Sequence, residues 1–478
     1  MSAINPEEFA DAFRRVMEWA GAEGRYDRSP FKERLTEHFG EDPVRYPVTG
    51  EGIASYDLPN LQLALEAYLG AAGREHTLIG FGGPVRHMDM SLSGLVHDYG
   101  FGVVEGPVRR TVVGLERGRS VTCITAGLFL IAEGERRLAA LVMLGEQEFG
   151  GAGLRLEVLG PKQEEGERFV ADVRALMHEH NVFRGKVLAL KPGDEMMGAG
   201  MSVEFPAVEA VSRDQIVLPE GVLDVVDLHT VEFARHAQTL REGGWHLRRG
   251  LLLHGPPGTG KTLSTSYLIS RLAGRTVVIL TAGALGLVGD ACAIARDVQP
   301  AMVVLEDVDL VAQERTEMGY GATSLLFRLL NEMDGIGENA DVIFVMTTNR
   351  ADLLEPALAA RPGRVDQAVE FPLPDADARS QLLDLFGRGL DMAVTERATI
   401  VAETDGVSPA FLRELVRKAA LHAARAGSPR VEDAHFRAAL DLLEQGGPIT
   451  RAMLGADGGA LERLNPEGEW DEVEWDEE

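Results

Sequence analysis

A lysine, a hydroxyl, two adjacent carboxylates and an amide stand in the middle of the chain at spacings that could act on phosphate. Lys261 and Thr262 close the run Gly255-Pro256-Pro257-Gly258-Thr259-Gly260-Lys261-Thr262, which fits G-x-x-x-x-G-K-[ST]. Glycines let successive backbone N–H groups turn inward around phosphate oxygens. Lys261 can reach the β/γ-phosphates, and the Thr262 hydroxyl can ligate Mg²⁺. Forty-odd residues on, Glu306 and Asp307 follow an apolar run. The first carboxylate can hold Mg²⁺ through its water shell, and the second can orient an attacking water. Asn349 adds an amide that could help position that water.

Such residues work together only if the chain delivers them to one edge. Leu251–Leu253 read as a short buried strand before the glycine loop. Leu263, Tyr267, Leu268 and Leu272 then recur at helical spacing until Gly274. Thr276–Leu280, Ala301–Leu305 and Val342–Met346 read as further buried strands, the last two ending in Glu306-Asp307 and Thr347-Thr348-Asn349. Leu325 to Asp334 reads as an amphipathic helix with a stop at Gly335. Alternating strands and helices predict an α/β doubly wound parallel sheet with its site at the strand C-termini.

From roughly residue 215 to 440 the chain resembles the AAA clade of the AAA+ superfamily. The resemblance rests on the Gly255–Thr262 loop, the strand ending in Glu306-Asp307, Leu329-Leu330-Asn331-Glu332-Met333-Asp334-Gly335 and Thr347-Thr348-Asn349-Arg350. It continues through Leu354-Glu355-Pro356-Ala357-Leu358 and Arg361-Pro362-Gly363-Arg364-Val365-Asp366. It implies a P-loop AAA+ sheet at 215–375, a helical lid at 376–445, and ATP with Mg²⁺ as cofactors. It also implies that Gly255, Pro256, Pro257, Gly258, Thr259, Gly260, Lys261, Thr262 and Leu263 contact ATP, with Thr262 and Glu306 serving the Mg²⁺. Glu306, Asp307 and the sensor amide Asn349 would act on water, and Arg361 and Arg364 would be arginine fingers for a neighbouring subunit. The expected form is a homo-oligomer, a hexameric ring. The Glu306-Asp307 order and the lead-in Glu232-Phe233 and His246-Leu247-Arg248-Arg249-Gly250 are most similar to the mitochondrial Rieske-protein translocase type, whose membrane anchor is missing here.

The family's threading members carry an aromatic-apolar-glycine triplet in a central pore. Here the stretch is Gly286-Leu287-Val288-Gly289, with Leu287 and Val288 as the expected contacts to a protein substrate. Leu287 lacks the flat amphipathic ring of Tyr or Trp. Tyr320, between two glycines, falls where a second pore loop is expected. The resemblance therefore implies an ATP-hydrolysing ring that remodels, unfolds or disassembles protein partners. The alternative is an ATP-dependent assembly switch or scaffold that displays its N-terminal domain without threading.

Around this core, residues 1–76 read as a helical N-terminal segment. Asn5-Pro6-Glu7-Glu8 opens one helix, and a second is expected from Leu58 to about Leu69. Residues 77–190 read as an α+β domain suited to partner recognition. It holds a hairpin pairing Val121–Ile131 with Leu138–Leu144, a strand at Leu154–Leu159, a helix over Glu164–His180 and a closing strand at Lys186–Leu190. A linker, 191–214, leads to the ATPase core, and 446–478 form an acidic tail with two tryptophans.

Bulk composition limits the function classes. The chain has 478 residues, 45% of them hydrophobic and 26% charged, with a formal net charge of −28. That balance argues against nucleic acid or an anionic membrane as partner, because phosphate surfaces recruit clustered Lys and Arg. Cys123 and Cys292 show no metal-type spacing and suit a reduced, cytoplasmic setting. The apolar stretch Ile124–Ile131 is too short to span a bilayer, and no H-E-x-x-H motif suggests a protease.

Overall fold

The computed structural model describes residues 30–83, 90–97, 103–145, 153–193, 201–309, 331–333, 335, 337, 339–352 and 365–445. The chain divides into two compact units. Unit 1 takes residues up to 182 together with 191–205, and unit 2 takes 183–190 and everything from 206 onward.

In unit 1 an antiparallel sheet runs in the order β1-β7-β6-β5-β2-β3, with β4 also on β5. The strands are Val48–Ile53 (β1), Arg74–Gly82 (β2), Val104–Gly106 (β3), Arg109–Gly114 (β4), Ser120–Glu133 (β5), Arg136–Gly145 (β6) and Gly153–Leu159 (β7). The expected hairpin is present: Ile131 faces Leu138 and Ala126 faces Met143. Gly134, at φ 60°, makes its tight turn. Helices cover both faces of the sheet. Leu58–Leu69 and Gln163–Glu179 pack with Phe129, Ile131, Ala140 and Val142 on one face. Pro30–Phe39 and Leu92–Val96 pack with Leu128, Leu130, Ala139 and Leu141 on the other. Burial on both faces explains why β5 and β6 read as unbroken apolar runs, since an antiparallel sheet wet on one face would alternate.

Two boundaries differ from the expectation. The segment read as helical up to residue 76 contains β1, an edge strand pairing with β7 from Val48↔Leu159 to Ile53↔Leu154. Its sequence, Val-Thr-Gly-Glu-Gly-Ile, carries two glycines and one charge, so it has little strand signal. The strand assigned to the end of the α+β domain, now Val187–Pro192 (β8), pairs in parallel with the sheet of unit 2, Val187↔Val277 to Ala189↔Ile279. A short apolar run says strand but does not say which sheet. Met201–Glu204 (β9) follows in unit 1.

Unit 2 holds the parallel sheet. Its strands are Arg249–His254 (β10), Thr276–Leu280 (β11), Ala301–Leu305 (β12), Val342–Thr348 (β13) and Gln367–Glu370 (β14). They stand in the order β14-β10-β13-β12-β11, with β8 beyond β11. Leu251, Leu253, Met302, Val304, Ile343 and Val345 fill one core with Tyr267 and Leu268 of the helix Lys261–Arg271. The lid is a separate core: helices Ala376–Phe386, Arg397–Glu403, Pro409–Arg425 and Asp433–Gln445 close around Phe411, Leu412, Leu415 and Phe436. Ser408 caps the third of these by accepting from the Phe411 N–H at 3.2 Å. Among the described residues no helix is long and apolar enough to cross a membrane. The helix expected after Asn5, most of that expected from Leu325, Tyr320, Arg361, Arg364 and the acidic tail lie outside the described residues.

Candidate active site

Parallel pairing brings three strand ends together. Leu253 stands beside Thr347 and His254 beside Thr348, while Leu305 stands beside Met346. The residues that follow these ends are therefore the glycine loop, Glu306-Asp307 and Asn349, collected at one edge of the sheet.

The loop needs its glycines for different reasons. Gly255 has φ 144° and packs against backbone: a Cβ there would lie 2.3 Å from the Phe371 carbonyl oxygen. Gly258, φ 77°, is the point where the lid touches the loop. A Cβ would lie 2.8 Å from Ser408 Oγ and 2.9 Å from Ala410 Cβ, and the Ala410 N–H donates to the Gly258 carbonyl at 3.3 Å. Gly260, φ 102°, turns the chain into the helix Lys261–Arg271. That helix start presents unpaired N–H groups and positive dipole, the usual environment for phosphate.

Lys261 is 6% exposed, and its Nζ donates to the carbonyls of Gly255 at 2.7 Å and Pro256 at 2.8 Å. Burial pulls its pKa down from 10.5 to about 8, against the opposing pull of Asp307 and Asp309. Thr259 Oγ1 donates to the Pro256 carbonyl at 2.8 Å and braces the loop. Pro257, Thr262 and Leu263 are exposed, Leu263 by 40%.

The carboxylates sit on strained, pinned backbone. Asp307 has φ 52°, one of two positive values among the described non-glycine residues. Such a conformation costs about 1–3 kcal/mol and persists only where surroundings enforce it. Here the Glu306 N–H donates to the Leu280 carbonyl at 2.9 Å, the Asp307 N–H to Thr347 Oγ1 at 3.1 Å, and the Val308 N–H to the Thr347 carbonyl at 3.0 Å. Asn349 Nδ2 lies 3.4 Å from Asp307 Oδ1. Burial first, and then the Asp307 charge, raise the Glu306 pKa, while a hydrogen bond with Thr265 opposes them.

Three contributors were not anticipated from the motifs. Asp309, 2% exposed, accepts from Thr348 Oγ1 at 2.9 Å and from the Asn349 N–H at 3.1 Å, fixing the amide's backbone. Thr265 and Ser408 touch Glu306 and Gly258 as described. The spacing Glu306-Asp307-x-Asp309 was a readable signal for the first. Nothing local marks the other two.

The pore expectation is corrected in part. Val288 is 1% exposed and opens the helix Val288–Asp297 as a core residue, so it cannot grip a polypeptide in this conformation. Leu287, the last residue of the 3-10 turn Ala282–Leu287, is half-buried. The glycine cradle, the lysine, the exposed hydroxyl of Thr262 and the carboxylate pair are the donor set that a magnesium nucleotide requires, and they fit it.

Comparison with known proteins agrees. Residues 251–373 match the model of the ATPase family associated with various cellular activities, AAA. The chain is similar to the ATP-dependent zinc metalloprotease FtsH of Akkermansia muciniphila, 36% identical over 250 residues, covering 49% of this chain and 30% of the relative. It is also similar to proteasome-activating nucleotidase 1 of Halobacterium salinarum, 33% identical over 210 residues, covering 41% and 51%. A third relative is the 26S proteasome regulatory subunit 6B homolog of Dictyostelium discoideum, 34% identical over 203 residues, covering 40% and 50%. The chain spans between 30% and 51% of the length of these relatives.

Proposed function

From the AAA-family domain in unit 2, we propose that this chain is an ATP-hydrolysing ring subunit that remodels, unfolds or disassembles protein partners, working in the cytoplasm as a hexamer. The observation that carries the reading is the convergence of Lys261, Glu306, Asp307 and Asn349 at neighbouring ends of β10, β12 and β13. Bound Mg²⁺ would supply charge neutralisation at the phosphates, with Thr262 and Glu306 holding it, Glu306 through water. This chain's residues do the rest. The loop N–H groups and Lys261 bind the phosphates, and Gly255 to Leu263 shape the cradle. Asp307 and Asn349 hold the attacking water from one side. Asp307 is one methylene shorter than the glutamate its position usually carries, and its left-handed backbone sets where that shorter carboxylate stands. The Glu306-Asp307 order is the feature on which a closer kinship to the Rieske-protein translocase type is proposed.

Arg361 and Arg364 are assigned as fingers reaching a neighbour's γ-phosphate. Turnover is then expected to rise with protein concentration and to be lost in Arg364→Ala. Mixing Arg364→Ala with Lys261→Ala pairs an intact finger with an intact loop and restores part of it. A monomeric protein with concentration-independent turnover contradicts the ring. The burial of Val288 favours a second reading, an assembly switch or scaffold, because it leaves Leu287 alone as apolar pore contact. Leu287→Ala separates the two: it abolishes ATP-dependent substrate unfolding in the first reading and changes nothing in the second.

A further inference from the structure

Among the described residues, unit 1 has an open strand edge beside a groove. Arg74–Ile79 of β2 pair antiparallel with Glu133–Leu128 of β5, and beyond Ile79 the strand leaves β5 so that Gly80–Gly82 pair with β3. β6 occupies the opposite edge of β5, and β4 continues the edge that β2 begins. Among the described residues, then, no strand pairs with Arg74–Ile79 on the side away from β5. An edge of this kind carries a row of unpaired N–H and C=O groups, which natural sheets normally cover or blunt. Here Glu75, His76 and Thr77 are exposed.

The edge borders a groove of about 610 Å³, flanked by Arg34, Glu37 and His38 of the helix Pro30–Phe39 and by Glu105 of β3. A helix on one flank and a free strand on the other is the arrangement in which an extended peptide joins a sheet, its main chain supplying affinity and its side chains specificity. The groove has a sign. Among its described lining residues the one guanidinium, Arg34, is already engaged: Nε donates to Glu105 Oε1 at 2.7 Å, and the group lies 3.6 Å from Glu37. His38 Nε2 lies 3.0 Å from the Leu138 carbonyl oxygen, and burial holds its pKa below the ordinary value. Among the described residues Glu75 has no ion pair and Glu37 has only that long one. The lining is acidic.

We propose that this edge docks an extended, basic segment of a client polypeptide, which adds as a strand to Arg74–Ile79 and sets Lys or Arg side chains against Glu75 and Glu37. Six strand residues span about 20 Å. The inference deepens the protein-remodelling reading by naming how a client is selected. Its test needs no ATP, so the two can fail separately.

The experiment is fluorescence anisotropy with the full chain, nucleotide-free, using a labelled heptapeptide of alternating lysine and valine. Two control probes are the same peptide N-methylated at every residue, and a heptapeptide of alternating glutamate and valine. Saturable binding of the first probe is expected, at least tenfold tighter than either control. Glu75→Arg and Glu37→Arg, both at exposed positions, should each weaken it about tenfold, the equivalent of 1.4 kcal/mol. Lys261→Ala should leave it unchanged. Equal binding of the N-methylated probe would mean charge attraction without strand pairing and would overturn the proposal, as would absence of saturable binding. If Glu75→Arg instead converts a dimer to a monomer in sedimentation, the edge is an interface between copies and the proposal falls.

Discussion

In unit 2 the strands β10, β12 and β13 run the same way, so whatever follows each of them arrives at one end of the sheet. Three separate stretches of sequence thereby become one constellation: Gly255–Thr262, Glu306-Asp307 and Asn349. In unit 1 neighbouring strands run in opposite directions, and their turns divide between two ends. Among the described residues that sheet gathers no comparable constellation of reactive groups. What it offers is an edge and a groove, built from main chain and a few carboxylates. Parallel topology makes chemistry, and antiparallel topology here makes a surface. The same distinction decides what sequence can reveal. Chemistry needs fixed residue types at fixed spacing, whereas an edge needs only a missing neighbour.

Lys261→Ala should lower nucleotide binding and turnover by about 10²–10³-fold, with thermal unfolding of unit 1 unmoved. Isothermal titration and a coupled ATPase assay read the first two, and loss of unit 1 structure along with them would mean that the substitution unfolds the protein instead of emptying the site.

The pH dependence of the same residue comes next. With its pKa at about 8, Lys261 is charged below that pH and neutral above it. Nucleotide affinity should fall by up to about tenfold per pH unit above 8. Binding near that pH should take up a proton, seen as a dependence of the binding enthalpy on buffer ionisation. Stability moves the other way. The folded value lies below the unfolded 10.5, so between about 8 and 10.5 the unfolded chain holds more protons and this residue makes the fold more stable as pH rises.

Unit 1 can be broken alone. A Cβ on Gly80 would lie 2.2 Å from the Pro107 carbonyl carbon, a clash of backbone with backbone. Gly80→Ala should cost about 1–3 kcal/mol, measured as a lowered midpoint for unit 1, while the ATP dissociation constant stays the same. A comparable stability cost is expected at Asp309→Ala, which removes the acceptor for Thr348 Oγ1 and the Asn349 N–H. It should cost about 1–3 kcal/mol of stability and slow hydrolysis while leaving ATP affinity near wild type. An affinity loss as large as that of Lys261→Ala would assign Asp309 a direct part in binding.

The order of the AAA-type elements, the hairpin Ile131↔Leu138 and the helix over Phe169 and Val173 could all be read from spacing. The sheet to which Val187–Leu190 belongs could not, because a buried strand has the same pattern in either partner sheet. Nor could β1, whose glycines weaken its signal, or the burial of Val288, which depends on a helix starting one residue after Leu287. At the site, Lys261 and the carboxylate pair were legible as types at set distances. The left-handed backbone of Asp307 was not, since nothing in the residue itself demands φ 52°. It follows from Thr347, forty residues away, accepting its N–H.

In the proposed mechanism Asp307 acts after ATP is bound and contributes nothing to the binding itself. Single-turnover hydrolysis and equilibrium ATP binding, measured side by side for the wild-type chain and Asp307→Asn, test this directly. The expected result is ATP affinity equal within about threefold and hydrolysis slowed by about 10²-fold or more. Hydrolysis that survives the substitution, or affinity that collapses along with it, would contradict the assignment.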